Sequence, residues 1–323
     1  MPLATLPAYR IEATDWRRHS HELRALREAV FIHELGGEET QEWDRADAKA
    51  VHLLARAGEP PEAVGTLRWL PTGQIGRLAV RSDWRGRGIG GALLACAVRE
   101  LKRHTRAAPW VYAPPSSGDF FASLGFVAED ALIEQHGQSV QRMVLSDPQA
   151  LIAADLRSRR LGETSGRLFL SQAEHVALAV QQLVGQALRR IEVLSADLQP
   201  ELYDHSAFVE AVRYLAIDLR GRLPVRMLVV DPEPALRRGH RLIELSRTLS
   251  SDFQLRVVPK DWAEYGDQFL LCDQEGLCLT RYQDPRRTLV DFNSGAQTRR
   301  LRRLFEQIWQ QSDLHPGLRR LHL

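Results

Sequence analysis

One short stretch of this chain sets residue types at a spacing that suits anion chemistry: "RGRGIGG", Arg85 to Gly91, between the apolar run "RLAV" and an amphipathic helical pattern. Glycines let a backbone close on an anion, successive N–H groups point at it, and the helix dipole favours negative charge there. A Walker loop would end in Gly-Lys-Ser/Thr, whereas Gly91 is followed by Ala92. The dinucleotide fingerprint GxGxxG is met literally by Gly86, Gly88 and Gly91, but it also needs an acid at the end of the next strand. That strand, "PWVYAPP", holds none, and the strands before the loop read as antiparallel. What remains is Arg85-x-x-Gly88-x-Gly90, directly after a strand and opening a helix, which reads as a pyrophosphate site.

The elements around the loop follow from hydrophobic period. "YRIEA" reads as a strand and "WRRHSHELRALREAVFIHEL" as a helix with Leu23, Leu26, Val30 and Phe31 on one face. "AVHLLARA" and "AVGTLRWLP", parted by "GEPPE", read as antiparallel strands, and "GQIGRLAV" as a third. After the loop, Ile89, Leu93, Cys96, Ala97 and Leu101 recur at helical spacing. "PWVYA" then reads as a strand, "GDFFASLGF" as a short helix and "SVQRMVLS" as a last strand. The order is β-α-β-β-β-α-β-α-β over the first 147 residues.

This mixed-strand setting makes R-x-x-G-x-G resemble the acetyl-CoA signature of the GNAT acetyltransferases over about residues 8–147. Phe120, Gly125 and Phe126 match the family's later Phe-Tyr-x-x-x-Gly-Phe element. The resemblance implies acetyl-CoA as cosubstrate and no metal. Leu78, Ala79 and Val80 would offer strand backbone to the pantetheine arm. Arg85, Gly86, Arg87, Gly88, Ile89, Gly90 and Gly91 would hold the pyrophosphate. Each arginine side chain reads equally well as a phosphate partner or as a solvated loop residue.

"VFIHELGGEETQEWDRADAKAVHLLA" is similar to the ElaA-like GNAT subgroup at Val30, Phe31, Ile32, Glu34, Gly36, Glu42, Trp43, Asp44, Asp47 and His52. The departures are Leu35 for a Gln, Tyr112-Ala113-Pro114 for His-Ala-Gln, Phe121 for the tyrosine that protonates the departing thiolate, and Val140 for a His. Amine acetylation needs a deprotonated amine, an oriented thioester and a proton acceptor, so proximity supplies much of the rate. Glu34, Glu42 or Asp44 could take the amine proton, and Tyr112 could replace the missing acid. The competing readings are a solvated acidic face or helix cap and a core tyrosine. His52, between Val51 and Leu53, reads as a satisfied structural histidine.

The second half alternates strand and helix through "IEVLS", "SAFVEAVRYLAIDLR", "VRMLVVD", "ALRRGHRLIELSRTLSS" and "QLRVVP". It closes with "FLLCD", "LCLTRY", "TLVDF" and the helix "TRRLRRLFEQIWQQ". That order implies an α/β sandwich and resembles a phospholipase D-like module. Aligned on Asp273, however, the family's His and Lys fall on Gly266 and Gln268, so hydrolysis is not expected. Arg299, Arg300, Arg302 and Arg303 could meet an anionic partner. The blander reading makes them the wet side of a helix whose Leu301, Leu304, Phe305, Ile308 and Trp309 are buried.

At 323 residues, with 44% hydrophobic and 26% charged residues, the chain suits two globular domains. The expected organisation is a mixed α/β (α+β) fold: an acetyltransferase domain at 1–147, a polar linker at 148–167, and a non-hydrolytic phospholipase D-like domain at 168–323. A net charge of +2 gives no field that recruits nucleic acid. Cys96, Cys272 and Cys278 form no close pair. With neither an apolar span nor a signal-peptide pattern at the start, a cytoplasmic protein without membrane contact is expected.

The function expected is acetyl transfer to a primary amine of unknown identity, with the second domain serving recognition or homodimerisation. The alternative is a non-catalytic acyl-CoA sensor. Nucleic acid is not expected as a partner.

Overall fold

The computed structural model describes residues 9–129, 131–135, 138–164, 166–314 and 317, and the chain divides into two compact units, Met1–Ser158 and Arg159–Leu323. In the first unit, β1 (Tyr9–Thr14) leads into α1 (Trp16–Arg27), capped by the Asp15 carboxylate on the Arg18 amide. The helix widens into a π-helical segment, Glu28–Glu34, and a single turn α2 (Glu39–Glu42) follows. Then come β2 (Val51–Ala57), β3 (Glu62–Trp69), β4 (Gln74–Val80), α3 (Ile89–His104), β5 (Trp110–Ala113), α4 (Gly118–Ser123), β6 (Phe126–Ala128), β7 (Ile133–Gln135), β8 (Gln138–Leu145) and α5 (Pro148–Ser158).

The described strands of this unit form one sheet in the order β1-β2-β3-β4-β5-β8-β6, with β7 on β8. Every pairing is antiparallel except β4 with β5. Helix α3 buries Ile89, Leu93, Leu94, Ala97 and Leu101 in a core shared with Leu53, Leu67, Trp69 and Ile75. The sequence pattern missed β6 and β7, three residues each and too short to show a period. Part of the segment read as a linker is α5, whose Leu151 joins that core and whose Asp155 pairs with Arg99 of α3 at 3.0 Å.

The second unit contains β9 (Leu168–Leu170), α6 (Ala173–Val184), β10 (Ile191–Ser195), α7 (Pro200–Tyr203), α8 (Ser206–Asp218), β11 (Val225–Val229), α9 (Glu233–Arg238), α10 (Arg241–Thr248), β12 (Phe253–Val257), β13 (Gln268–Cys272), β14 (Gly276–Arg281), β15 (Asp284–Asp291) and α11 (Gly295–Gln311). Its sheet runs β12-β11-β10-β13-β14-β15-β9, parallel across β10, β11 and β12 and antiparallel beyond. Helix α11 lays Leu301, Phe305, Ile308 and Trp309 on the face that carries Leu194, Leu228, Phe269 and Leu277. The single helix expected over "ALRRGHRLIELSRTLSS" is two, broken at Gly239 (φ +73°) with the His240 ring capping α10. Among the described residues no helix is long and apolar enough to cross a membrane.

Candidate active site

The site starts from an unfinished ladder. Strands β4 and β5 pair only at Gln74–Trp110 and Ile75–Val111, then part. From Gly76 to Val80, β4 has β3 on one edge and no β5 partner on the other. Unpaired strand backbone must find other hydrogen-bond partners, and here it borders a cleft of about 820 Å³. Arg77 adds a local kink. It sits at φ +53° opposite a register shift in β3, a costly conformation for a residue with a side chain, and it directs a guanidinium into the cleft lining.

One end of the cleft is the glycine loop. Gly86 (φ +72°) and Gly88 (φ +79°) both lie in the left-handed region, and Gly88 is the residue at which α3 begins. A Cβ at Gly86 would meet nothing within 4 Å, so its conformation, and not crowding, calls for glycine. Leu78, Ala79, Val80, Arg85, Gly86, Gly88, Ile89, Gly90 and Gly91 all line the cleft; Arg87 is not among the lining residues.

The loop arginines are already engaged. Arg85 grips Glu34 with both terminal nitrogens (2.5 and 2.8 Å) and donates Nε–H to the Val80 carbonyl at 2.9 Å. Arg87 lies 4.5 Å over the Trp84 ring and donates to the Asp83 carbonyl. The groups most available to an anion are therefore the loop backbone and the start of α3.

The opposite wall is the π-helical turn, which contributes Val30, Phe31 and Ile32, followed by Leu35, Gly37 and Glu38. Gly37 closes the turn by donating to the Phe31 carbonyl at 2.9 Å, an approach that would put a Cβ 2.8 Å from that oxygen. Tyr112, half-buried and edge-on to Trp110, joins Pro114, Phe121 and Val140 in the lining. Phe121 is buried against Phe120 and Phe126 and has no hydroxyl to offer.

The acidic segment is knitted into a buried charge network that the sequence reading did not foresee. Arg27, wholly buried, donates to Glu42 Oε1 at 2.5 Å, to the Glu42 carbonyl at 2.8 Å and to Asp47 at 2.8 Å. Arg68 forks onto Asp44 at 2.6 and 2.7 Å and reaches Asp47 at 2.6 Å. Arg77 completes it, 3.4 Å from Glu42 and 3.6 Å from Asp44. Arg24 and Arg27 lie over the Trp43 ring. His52, also buried, donates Nε2–H to the Asp47 carbonyl at 2.9 Å, and burial holds its pKa below the usual histidine value.

The three sequence-nominated acids thus have different fates. Glu42 is buried and lines the cleft, and burial raises its carboxyl above the ordinary value despite Arg27 and Arg77. Burial also works to raise Asp44, but the Arg68 hydrogen bonds and charge, the Ala46 amide and Arg77 outweigh it and bring the pKa down to about 2. Glu34 is held below its usual value by Arg85. Neither Glu34 nor Asp44 lines the cleft. Of the four proton-transfer candidates, the structure brings Glu42 and Tyr112 to the cavity. The legible signals of the network were Arg68 and Arg77, charges inside the apolar runs "AVGTLRWLP" and "QIGRLAV".

Residues 24–146 match the family model of the acetyltransferase (GNAT) domain. The first unit carries a GNAT domain. Among solved structures, a putative N-acetyltransferase from Lactobacillus plantarum is 23% identical, aligned over 43% of this chain and 99% of that one, with a TM-score of 0.40. Escherichia coli ElaA is 22% identical over 42% and 98% (TM-score 0.38), and an acyl-CoA N-acyltransferase from Pseudomonas aeruginosa 22% over 43% and 100% (0.38). At that level these are likenesses of outline, and the assignment rests on the family match. No curated protein matches the chain.

The phospholipase D-like expectation for the second half is unsupported. What matches residues 172–321 is Domain of unknown function (DUF7931). Asp273, on which the catalytic pattern was aligned, sits at φ +51° after β13, and its carboxylate accepts the backbone N–H groups of Leu188, Arg189 and Arg190 at 2.8–3.0 Å. Its role is to close a turn.

Proposed function

We propose that the GNAT domain transfers an acetyl group from acetyl-CoA to a primary amine by direct attack. The observation that carries this reading is the parting of β4 from β5 beside a cleft that ends at the left-handed glycine loop. The loop backbone from Gly86 to Gly91 would hold the pyrophosphate, with the α3 dipole behind it. The β4 edge at Leu78, Ala79 and Val80, where the Val80 carbonyl already accepts from Arg85, would pair through its remaining backbone groups with the pantetheine amides, and acetyl-CoA would supply the activated thioester.

The chain's own residues then handle protons and orientation. Phe31 and Ile32 exclude water on the acceptor wall. Glu42, raised by burial, is suited to take the amine proton, directly or through a water. Tyr112 lines the same cleft, and its hydroxyl would return a proton to the leaving thiolate. The second unit is assigned a recognition or dimerisation role.

A second reading, an acyl-CoA sensor without turnover, is favoured by the locking of Glu34 and Asp44 in two-pronged arginine pairs and by the missing hydroxyl at Phe121. Calorimetric titration of acetyl-CoA into the wild type and Gly88→Glu, followed by thiol release with a panel of amines, separates the two. Expected are binding to the wild type alone and release with one amine class. No wild-type binding defeats both readings, and binding without release from any amine leaves the sensor.

A further inference from the structure

The second unit holds an arginine-lined groove that the acetyltransferase reading does not use. It runs along α11, has a volume of about 570 Å³, and is lined by Ala296, Arg299, Arg302, Arg303 and Glu306. Helical spacing of three, four and seven residues from Arg299 puts these side chains on one stripe, opposite the Leu301, Phe305 and Ile308 face that packs on the sheet.

Around the groove the carboxylates of Glu192, Glu306 and Asp273 are already paired. Glu192 is 1% exposed, between Arg226 at 2.5 Å and Arg302 at 2.6 Å. Glu306, the one acid in the lining, is gripped by both terminal nitrogens of the same Arg226, one of them at 3.0 Å. Asp273 is consumed by three backbone amides, and its carbonyl accepts from Arg302.

The consequence is a fixed guanidinium at Arg302 flanked by two exposed ones. Among the described residues Arg299 and Arg303 have no carboxylate within ion-pair distance. Burying a carboxylate such as Glu192 costs free energy unless it is fully paired, so a triad of this kind is costly as a mere stabiliser. What it accomplishes is to hold Arg302 and Arg226 rigid under the groove. A guanidinium already immobilised loses little freedom when it binds an anion.

We propose that this groove binds a diphosphate group, either free or carried by a nucleotide. The two unpartnered forks sit four residues apart, about 6 Å of helix rise, so each can grip one phosphoryl group in the planar two-bond geometry that arginine provides. Arg302, already paired with Glu192 and the Asp273 carbonyl, lies between them as a fixed point and leaves the ligand's charge to Arg299 and Arg303. The lining comes from α11 alone, Ala296 to Glu306, a short open face that suits a small ligand; a polynucleotide would need a longer basic track.

The test is titration of inorganic pyrophosphate and of ADP into the full chain and into Arg299→Gln/Arg303→Gln, with melting midpoints recorded alongside. Because the glycine loop can also take pyrophosphate, both proteins are compared again with Gly88→Glu added. Expected is a binding event that survives Gly88→Glu and weakens about ten-fold or more for each arginine removed, with no change in melting. Glu306→Gln, which removes the lining acid's charge, is expected to tighten it several-fold, an effect that damage to the fold would not give. Tighter binding of ADP identifies a nucleotide as the source, and equal binding a free diphosphate; both support the site. Unchanged isotherms in the double arginine variant overturn it. So does an RNA oligonucleotide that binds more tightly than either probe with a steep salt dependence, which would make this face an extended nucleic-acid contact.

Discussion

The two walls of the cleft are built on opposite principles. The proposed cofactor end is backbone: glycines in left-handed conformation, the β4 edge that β5 leaves and the start of α3, all within fourteen residues from Leu78 to Gly91. The proposed acceptor end is side chain: Phe31, Ile32 and Glu42, the last of them paired with Arg27 and Arg77 in a network that Arg68 joins through Asp47, the three arginines coming from three separate elements. A backbone site tolerates many side chains and fails at a glycine. A side-chain site fails wherever one partner of a buried pair is withdrawn.

That contrast is sharpest at Arg27. Arg27→Met leaves Glu42 and Asp47 buried beside each other without their shared cation, and the expected loss is about 3–5 kcal/mol of stability, read as a lowered denaturation midpoint. An equal loss from Arg87→Met, on the exposed loop, would erase the distinction between the walls. Next in size is Glu42→Gln. It keeps the hydrogen bond from Arg27 but removes the proposed base, and kcat is expected to fall about 10²–10⁴-fold while acetyl-CoA affinity holds. Unchanged kcat would remove Glu42 from the proton path. Tyr112→Phe deletes one hydroxyl, with an expected fall of about ten-fold or more in kcat and no change in stability; an intact rate would show that water protonates the thiolate.

The same contrast explains what could be read beforehand. The glycine loop, the strands before it and α3 were legible because their signals are local: period, glycine placement and an apolar run next to a helix start. The charge network was not, because Arg27 and Asp47 are twenty residues apart and meet only once α1 crosses the sheet. Acids that looked like proton acceptors, Glu34 and Asp44, turn out to be tied to Arg85 and Arg68, partners 51 and 24 positions away. In the second unit, β9 and α6 went unread because the strand is three residues long and the helix follows it directly. The sandwich itself followed from the alternation, but the family likeness drawn from it did not, since many α/β sandwiches share such a pattern.

The smallest effect separates Asp44 as a structural anchor from Asp44 as a base. Its folded pKa, about 2, lies below the ordinary aspartate value of 3.8. Between those values the unfolded chain binds the extra proton, so Asp44 adds stability that is fully present above about pH 4 and is lost as pH falls toward 2. The shift alone would correspond to about 2.5 kcal/mol. The side chain is 39% exposed, however, and solvent screening reduces the expected contribution to about 1 kcal/mol. Asp44→Asn should therefore lower stability at pH 6 by about that much, and the gap to wild type should close on acidification through pH 4 to 2, measured by urea denaturation at each pH. At pH 6 the variant should keep its kcat, because a carboxyl titrating near 2 and gripped by Arg68 is too weak a base to take a proton from an amine. A kcat that falls with the Asn substitution while stability is untouched would move Asp44 from the scaffold of the acceptor wall to its chemistry.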